Sequence, residues 1–211
     1  MESPQLSDTA RVSEDMTALA SLERDAELMI RVREGDETSF ALLLNRHRGP
    51  VVHFLYRMVQ HQGVAEELGQ EVFLRVYKAR TSYEPTAKFT TWLFRIATHL
   101  ALNWLRDGKA EKSQESIDDA ADEGRPRELP DRSQTVEQKL VQEARLGEIR
   151  AAIEALPARQ RSAVLMHKYE EMEYAQIAKA LGCSESGVKS LLFRAYETLR
   201  VRLAHMAKEG V

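Results

Sequence analysis

The amino-acid sequence predicts an all-α protein made of two small helical domains joined by a flexible acidic linker. Apolar residues recur at steps of three and four along most of the chain, whereas the alternation typical of strands is almost absent. Of the 211 residues 43% are hydrophobic, enough for two small domains that each bury a core. Two mildly basic segments, 26–110 with 12 basic and 9 acidic side chains and 148–211 with 10 and 8, flank an acidic stretch. This distribution indicates two nucleic-acid-facing modules.

Two helices are predicted at the start of the first basic segment. The first begins near Asp25 and runs to Val32, where Gly35-Asp36 ends it. Asp36 can cap the second helix, because its carboxylate can accept hydrogen bonds from the free N–H groups of the first turn. Within that second helix Gly49-Pro50 predicts a break or a kink, since proline lacks the N–H that continues the hydrogen-bond ladder.

Two further helices complete the first domain. The third extends from Val64 to Ala79, with apolar residues on one face and mostly acidic and amide residues elsewhere. The fourth begins at Thr90 or Thr91, after a Tyr-Glu-Pro loop, and ends near Asp107-Gly108. Its predicted buried stripe consists of Leu93, Ile96, Ala97, Leu100 and Trp104.

The acidic stretch in the middle of the chain contains two prolines and few large apolar side chains, so it cannot bury enough surface to fold alone. The sequence therefore predicts four parts. They are an acidic N-terminal extension at 1–25, a first domain at 26–110, a flexible linker at 111–138 and a second helical domain at 139–208.

The most specific pattern lies between Tyr174 and Leu199, where a short helix, a tight turn and a longer helix follow one another. Ala178 is small enough for the longer helix to approach, Gly182 can adopt a left-handed turn, and Ser184 can cap the longer helix. The pattern predicts a helix-turn-helix whose outward face suits a DNA major groove. That face carries Ser186, Lys189, Ser190, Phe193, Arg194, Glu197 and Arg200. The alternative is an ordinary amphipathic helix pair with a solvated basic face.

A second candidate nucleic-acid surface lies along the predicted fourth helix. Its four basic side chains fall within about 60° on a helical wheel, flanked by an aromatic ring and an amide. These residues are Lys88, Arg95, His99 and Arg106, with Trp92 and Asn103 beside them. Such a face suits a single strand, because phosphates pair with charge and unstacked bases lie on rings. The alternative is a solvated face with Trp92 partly in the core.

Other classes of function find no support in the sequence. GxSxG, Walker, HExxH and GxGxxG motifs are missing, so we expect a protein that is not an enzyme and uses no cofactor. Cys183 is the single cysteine and no two of the six histidines lie at i, i+4 within one helix, so no metal site is expected. The acidic N-terminus is unlike a secretory signal, and no apolar stretch approaches about 18 residues. We therefore expect a cytoplasmic protein without membrane insertion.

Several stretches of the chain resemble one family. RVREGDETSF, QEVFLRVYKA and FTTWLFRIATHLALNWLR, between Glu27 and Arg106, resemble region 2 of the extracytoplasmic-function (ECF) sigma factors of the sigma-70 family. IEALPARQRSAVLMHKYEEMEYAQIAKALGCSESGVKSLLFRAYETLR, from Ile153 to Arg200, is similar to their region 4. The two stretches stand in the family's order with a linker between them.

The resemblance implies a sigma factor that binds core RNA polymerase and directs promoter-specific initiation in a stress response. Region 2 would bind the polymerase clamp and the melted −10 element of promoter DNA, and region 4 the flap and the duplex −35 element. The resemblance also implies an anti-sigma factor as a partner. The residues implied for clamp binding are Glu67, Gln70, Glu71 and Phe73. Those implied for the −10 element are Lys88, Thr91, Trp92, Arg95, His99 and Asn103. Those implied for the −35 element are Ser186, Lys189, Ser190, Phe193 and Arg194.

Four residues depart from the family's usual pattern. Gly69 stands in mid-helix where an aliphatic residue is common, at a cost of about 0.5–1 kcal/mol relative to alanine. Leu191 and Tyr196 replace residues that are commonly basic. His99 replaces a common asparagine, which changes the donors and acceptors offered to a −10 base.

Two alternatives stay open. The acidic linker either follows positively charged polymerase channels that otherwise hold nucleic acid, or it is a plain spacer. The whole chain could instead be a regulator whose N-terminal part senses a ligand or dimerises. Such a regulator would bind duplex DNA without polymerase, whereas sigma factors of this type normally require the core enzyme.

Overall fold

The computed structural model describes residues 24–112 and 136–206, and every regular element in these two ranges is helical. The predicted all-α class is therefore confirmed. Residues 1–23 and 113–135, which hold most of the predicted N-terminal extension and linker, lie outside the described residues. The division into domains at 26–110 and 139–208 stays a prediction.

Eight α-helices and one 3-10 turn make up the described part of the chain. In chain order they are α1 (24–33), α2 (Glu37–Val59), α3 (Gln62–Lys78), the turn Arg80–Ser82, α4 (Phe89–Lys112), α5 (Val136–Glu154), α6 (Ala158–Lys168), α7 (Tyr174–Leu181) and α8 (Glu185–Arg202).

Asp36 caps α2 as predicted. Its Oδ1 accepts hydrogen bonds from the N–H groups of Thr38 (2.9 Å) and Ser39 (3.2 Å), and its Oδ2 accepts one from the Ser39 hydroxyl (2.7 Å). These bonds, that from the Ser39 hydroxyl above all, hold the pKa of the Asp36 carboxyl below its usual value. Local chemistry thus sets where α2 begins.

α2 continues through Gly49-Pro50, so of the break or kink predicted there the break is wrong and the kink stays a prediction. Proline in a helix interior costs about 3 kcal/mol. The residues after it compensate by packing: Val51 and Leu55 are fully buried, and the Phe54 ring meets that of Phe94 in α4 at a centroid distance of 5.3 Å. Burying each such side chain is worth about 1.5–3 kcal/mol, which together outweighs the proline.

α4 runs further than predicted, since it ends at Lys112 and not near Asp107-Gly108. Gly108 lacks the positive φ of a left-handed cap, so it does not stop the helix in the predicted way. The predicted buried stripe is right at Leu93, Ala97 and Leu100 and wrong at Trp104, whose side chain is 37% exposed. Beyond Ala101 the residues that pack on the core are Leu102 and Leu105.

The described helices pack around one apolar core. α2, α3 and α4 form one group and α6, α7 and α8 a second, and α4 packs directly on α6 and α7 while α2 packs on α6. We call this packing of α2 and α4 against α6 and α7 the closed contact. Thr98 of α4 is completely buried in it, with its hydroxyl oxygen 4.0 Å from the sulfur of Met166 in α6.

Arg161 of α6 ties two helix ends together within the closed contact. Its guanidinium donates hydrogen bonds to the carbonyl oxygen of Met58 at the end of α2, and to those of Glu154 and Leu156 at the end of α5. Carbonyls at helix C-termini lack partners inside the helix and carry the negative end of the helix dipole. A single cation of α6 therefore satisfies carbonyls at the ends of both α2 and α5.

Arg57 of α2 reaches the loop that follows α6. Its guanidinium carbon lies 3.9 Å from the centroid of the Tyr169 ring, at cation–π distance. The neighbouring Glu170 is half-buried, and this burial raises the pKa of its carboxyl to about 7, an effect that the charge of Arg57 only partly offsets. The closed contact thus holds a carboxyl that ionises near neutral pH.

Gly69 of α3 has a packing role that outweighs its poor helix propensity. It is buried, and a Cβ placed on it would lie 2.9 Å from Cγ2 of Val52 in α2. We expect Gly69→Ala to lower the free energy of unfolding by about 1 kcal/mol, because overpacking costs about 1–3 kcal/mol against a helix gain of about 0.5–1 kcal/mol. Urea denaturation measures the change.

The double variant Gly69→Ala, Val52→Ala tests the cause of that loss. It removes the clashing methyl of Val52. Its loss of unfolding free energy should therefore be smaller than the sum of the losses in the two single variants. If the two changes are additive, Gly69 does not act through its contact with α2.

Candidate nucleic-acid and polymerase interfaces

The helix-turn-helix predicted between Tyr174 and Leu199 is present as α7 and α8. Gly182 adopts the left-handed conformation (φ 61°, ψ 45°) and Ala178 is buried between the helices. Ser184 caps α8, where its hydroxyl oxygen accepts a hydrogen bond from the N–H of Gly187 (3.2 Å). Arg159 of α6 donates to the carbonyl oxygen of Leu181 (2.9 Å), which fixes the end of α7. Local residues and one neighbour therefore set the turn.

α8 has an inner and an outer face, as expected for the amphipathic recognition helix of a helix-turn-helix. Val188, Leu192 and Ala195 are buried against α6 and α7. All five residues predicted for the −35 element lie exposed on the outside, namely Ser186, Lys189, Ser190, Phe193 and Arg194. The Phe193 side chain is 68% exposed, which is unusual for a ring without a partner to cover it.

Hydrogen bonds within α8 reduce the groups that its outer face can offer. The Ser190 hydroxyl donates to the Ser186 carbonyl oxygen (3.0 Å), so it retains acceptor capacity for a ligand. Arg200 is paired with Glu197 at 2.8 Å. Lys189 and Arg194 make no ion pair among the described residues, which leaves them as the available cations of the first turns of α8.

The residues predicted for the −10 element are only partly on one surface. Lys88, Arg95, His99 and Asn103 are exposed on or just before α4. Thr91 is 3% exposed, and its hydroxyl oxygen has no hydrogen-bond partner among the described residues. In this closed arrangement its side chain faces the interior, so it is not among the groups that a strand on the surface would meet.

Trp92 lies half-buried at the edge of an aromatic cluster. Its ring centroid is 5.1 Å from that of Tyr83 and 6.0 Å from that of Phe89, and the last two rings are 6.3 Å apart. Both Tyr83 and Phe89 are buried, at 4% and 0% exposure. The cluster packs against part of the Trp92 side chain, and the remainder is exposed to solvent.

His99 is tuned toward its neutral form. Partial burial lowers the pKa of its imidazole, and the positive charges of Arg95 and Arg159 lower it further. The neutral ring offers one donor and one acceptor. Arg159 belongs to α6, so the closed contact brings a cation of the second group of helices close to this predicted −10 residue.

The predicted clamp-binding residues of α3 separate in the same way. Glu67 and Gln70 are exposed, whereas Glu71 is half-buried and its Oε1 accepts a hydrogen bond from Nε of Arg75 (2.7 Å). Phe73 is 5% exposed and belongs to the core, so its ring does not lie on the open face of α3. Its burial stabilises the helix that carries the other three residues.

The exposed surface of α3 includes one residue that was not predicted from the sequence. Leu74 is 46% exposed, and it follows Glu67, Gln70 and Glu71 at steps of seven, four and three residues. Residues at such steps share a helix face. An exposed leucine beside carboxylate and amide groups gives this surface an apolar element, which the spacing alone could have revealed.

The described ranges contain neither a candidate metal site nor a candidate membrane span. No group of three or more His, Cys, Asp or Glu residues within 24–112 and 136–206 is arranged to hold a metal ion. In the same part of the chain no helix combines the length and the apolar character needed to cross a bilayer.

Comparison with known proteins identifies the family. A family model described as Sigma-70 region 2 matches residues 43–111, and one described as Sigma-70, region 4 matches residues 146–199. The RNA polymerase sigma-H factor of Pseudomonas aeruginosa is 28% identical over 190 residues, which are 89% of this chain and 98% of that protein. The ECF RNA polymerase sigma-E factor of Escherichia coli K12 is 30% identical over 177 residues, 83% of this chain and 92% of that protein.

A solved structure shares the fold. The sigma factor RpoE in complex with the anti-sigma factor NepR, from Bartonella quintana, superposes with a TM-score of 0.61 at 21% sequence identity. The match covers 78% of this chain and 96% of that one.

The two family models and these relatives place the all-helical chain among the sigma-type transcription initiation factors. The chain belongs to the ECF sigma factors of the sigma-70 family. It is an RNA polymerase sigma factor that directs transcription initiation, a non-catalytic subunit of the enzyme. The family resemblance seen in the sequence is confirmed. The alternative, in which the chain is a regulator whose N-terminal part senses a ligand or dimerises, is wrong.

Proposed function

We propose that the two exposed basic faces divide promoter recognition between them, with α8 reading the −35 element and α4 the −10 element. The observation that carries the proposal is the outer face of α8. It exposes Lys189, Phe193 and Arg194 on a helix whose opposite side is locked into the core by Val188 and Leu192. A rigid helix of this kind fits the major groove of duplex DNA, where arginine can bond both acceptors of a guanine.

Arg194→Ala tests the reading of the −35 element. A bidentate contact to a base is worth about 1–3 kcal/mol of discrimination. We therefore expect the variant to lose preference at one or two adjacent −35 positions while its −10 preference is unchanged. Transcription from a library of promoters randomised in the −35 element measures this.

Arg200→Ala is the matched control, since Arg200 lies on the same helix but is paired with Glu197. It should leave −35 preference unchanged. A uniform loss of activity across all −35 sequences in Arg194→Ala would mark a phosphate contact and would contradict base reading by this residue.

The α4 face supports recognition of the melted −10 strand. Trp92 offers part of an indole for stacking, and Arg95 and Lys88 are exposed cations beside it. Stacking on an aromatic ring is worth about 1–3 kcal/mol per base and requires an unpaired strand. His99, held neutral, would offer a base one donor and one acceptor.

The exposed face of α3 supports binding to the polymerase clamp. Glu67, Gln70 and Glu71 supply acidic and amide groups there, and Leu74 adds apolar area. Such a mixture suits a basic helical partner, because charge complementarity steers association and apolar burial slows dissociation.

The closed contact cannot persist when both promoter elements are bound. α4, α7 and α8 pack one on the next, so their outer faces lie about 20–30 Å apart at the usual 8–10 Å between helix axes. The −10 and −35 elements are some 25 base pairs apart, about 85 Å of duplex. We propose that the second group of helices separates from the first when the protein works on a promoter.

Two further parts of the proposal concern the cell. The likeness to a sigma factor solved with its anti-sigma factor supports an anti-sigma partner for this chain also. The relatives are named as sigma factors of RNA polymerase, which supports a cytoplasmic location. Membership of the ECF sigma factors supports a role in a stress response.

A further inference from the structure

A buried ionic cluster joins α1 to α2, and only its carboxylate lies before the residues that match the region 2 family model. Asp25 of α1 is 1% exposed, whereas the match to region 2 begins at residue 43. Its Oδ1 accepts a hydrogen bond from the Arg46 guanidinium, and its Oδ2 lies 2.8 Å from Nε2 of His47. A buried carboxylate is tolerated only with partners of this kind, because the loss of hydration is costly. The Nε2 atom of His47 is thus within hydrogen-bond distance of a carboxylate oxygen, to which a protonated Nε2 can donate.

His47 connects this cluster to the rings beneath Trp92. Its side chain is buried, and its imidazole centroid is 5.4 Å from that of Phe89, the first residue of α4. Phe89 in turn contacts the indole of Trp92 at a centroid distance of 6.0 Å. A continuous path of side-chain contacts therefore leads from Asp25 to the half-buried Trp92 ring of α4.

A second path from α1 supports the same edge of the cluster. Nη1 of Arg33 donates to the backbone oxygen of Tyr83 (3.4 Å), and the Tyr83 ring packs on Trp92. The Tyr83 hydroxyl is buried without a hydrogen-bond partner among the described residues. Burial, and then the negative charge of Asp25, raise the pKa of this hydroxyl, so Asp25 lies close to Tyr83 as well as to His47.

We propose that Asp25 is a positioning residue for the −10 surface: acting through His47 and Phe89, it holds the Trp92 ring in the orientation that stacks on a base. This inference rests on the proposed role of α4 in reading the melted strand. α1 thereby supports the −10 surface of α4 without contacting the DNA itself. A ring that is already ordered loses less entropy when it binds a base.

The orientation of Trp92 can be followed directly in the full-length protein. The chain has two tryptophans, so Trp104→Phe leaves Trp92 as the single tryptophan, whose fluorescence can be excited selectively at the red edge of its absorption. In that background we expect Asp25→Asn to increase acrylamide quenching and to lower the fluorescence anisotropy of Trp92. In complex with core polymerase, the same variant should bind a short fluorescent single-stranded DNA of randomised sequence about 2- to 10-fold more weakly.

A matched control separates positioning from general stability. Asp36→Ala removes the N-cap of α2, which stabilises the same group of helices without touching the rings. Even if its melting temperature is equal to or lower than that of Asp25→Asn, Asp36→Ala should show the same Trp92 fluorescence and the same binding to single-stranded DNA as wild type. His47→Asn is a second variant in case Asp25→Asn does not fold, because it keeps an N–H donor for Asp25 and removes the ring that contacts Phe89.

The outcomes distinguish this inference from the function on which it rests. If Trp92→Ala binds the single strand as well as wild type, the −10 role of α4 fails and the inference fails with it. If Trp92→Ala weakens binding but Asp25→Asn and His47→Asn do not, the positioning role alone is overturned. It is also overturned if Asp36→Ala loosens Trp92 and weakens strand binding as much as these two variants do.

Discussion

Arg161→Ala is expected to open the closed contact and to lower the free energy of unfolding by about 3 kcal/mol. The variant leaves the carbonyl oxygens of Met58, Glu154 and Leu156 without their donor, and each buried unpaired group costs about 1–3 kcal/mol. Arg161 lies in α6 of the second group, and its bond to Met58 of α2 links that group to the first. Its other two acceptors lie at the end of α5. Small-angle scattering should show a larger radius of gyration with unchanged helix content by circular dichroism.

Opening has a second expected consequence, for binding to the polymerase. If core binding requires the open form, a closed form that competes with it lowers the apparent affinity. Arg161→Ala should therefore bind core polymerase more tightly than wild type. Lys168→Ala is the control, because Lys168 is an exposed cation on the same helix as Arg161. An unchanged radius of gyration in Arg161→Ala would show that Arg161 does not hold the closed contact.

Glu170→Gln is expected to stabilise the protein above neutral pH and to leave it unchanged in acid. The pKa of the Glu170 carboxyl is raised to about 7 in the folded protein from 4.5 in the unfolded chain. The folded state therefore holds a proton that the unfolded state has released, and wild-type stability falls as the pH rises from about 4.5 to about 7. Glutamine cannot ionise, so the variant escapes this loss.

The size of the effect follows from the same shift. A change of this size corresponds to about 3 kcal/mol, and solvent screening at a half-buried site reduces it to about 1–2 kcal/mol. Urea denaturation at pH 5 and at pH 8 measures the difference between variant and wild type, in which the opposite pH dependence of His99 cancels. Glu171→Gln, at an exposed neighbour, is the control. Equal stabilisation at both pH values would contradict the account of Glu170.

The features that the sequence predicts well are those that local chemistry determines. Asp36, Gly182 and Ser184 act within three or four residues of themselves, and each does in the structure what its side chain or missing Cβ predicts. The outer face of α8 could be predicted for the same reason, since helical spacing places Lys189 and Arg194 opposite the buried Val188.

The features that the sequence does not reveal depend on contacts between distant parts of the chain. Gly49-Pro50 does not break α2, because burial of the residues that follow outweighs the missing N–H. The interior positions of Thr91 and Phe73 follow from how α3 and α4 are rotated in their bundle, which the spacing of apolar residues defines only coarsely. Arg161 lies 103 residues from Met58, so no local pattern could have paired them.

Run-off transcription with purified core polymerase tests the division of promoter recognition most directly. The templates carry randomised −10 and −35 elements, and the proteins are wild type, Trp92→Ala and Arg194→Ala. We expect core alone to give no promoter-specific transcript and wild type to select sequences at both elements. Trp92→Ala should change selection only at the −10 element and Arg194→Ala only at the −35 element. Loss of selection at both elements in either variant, or unchanged selection in both, would contradict the assignment of the two elements to α4 and α8.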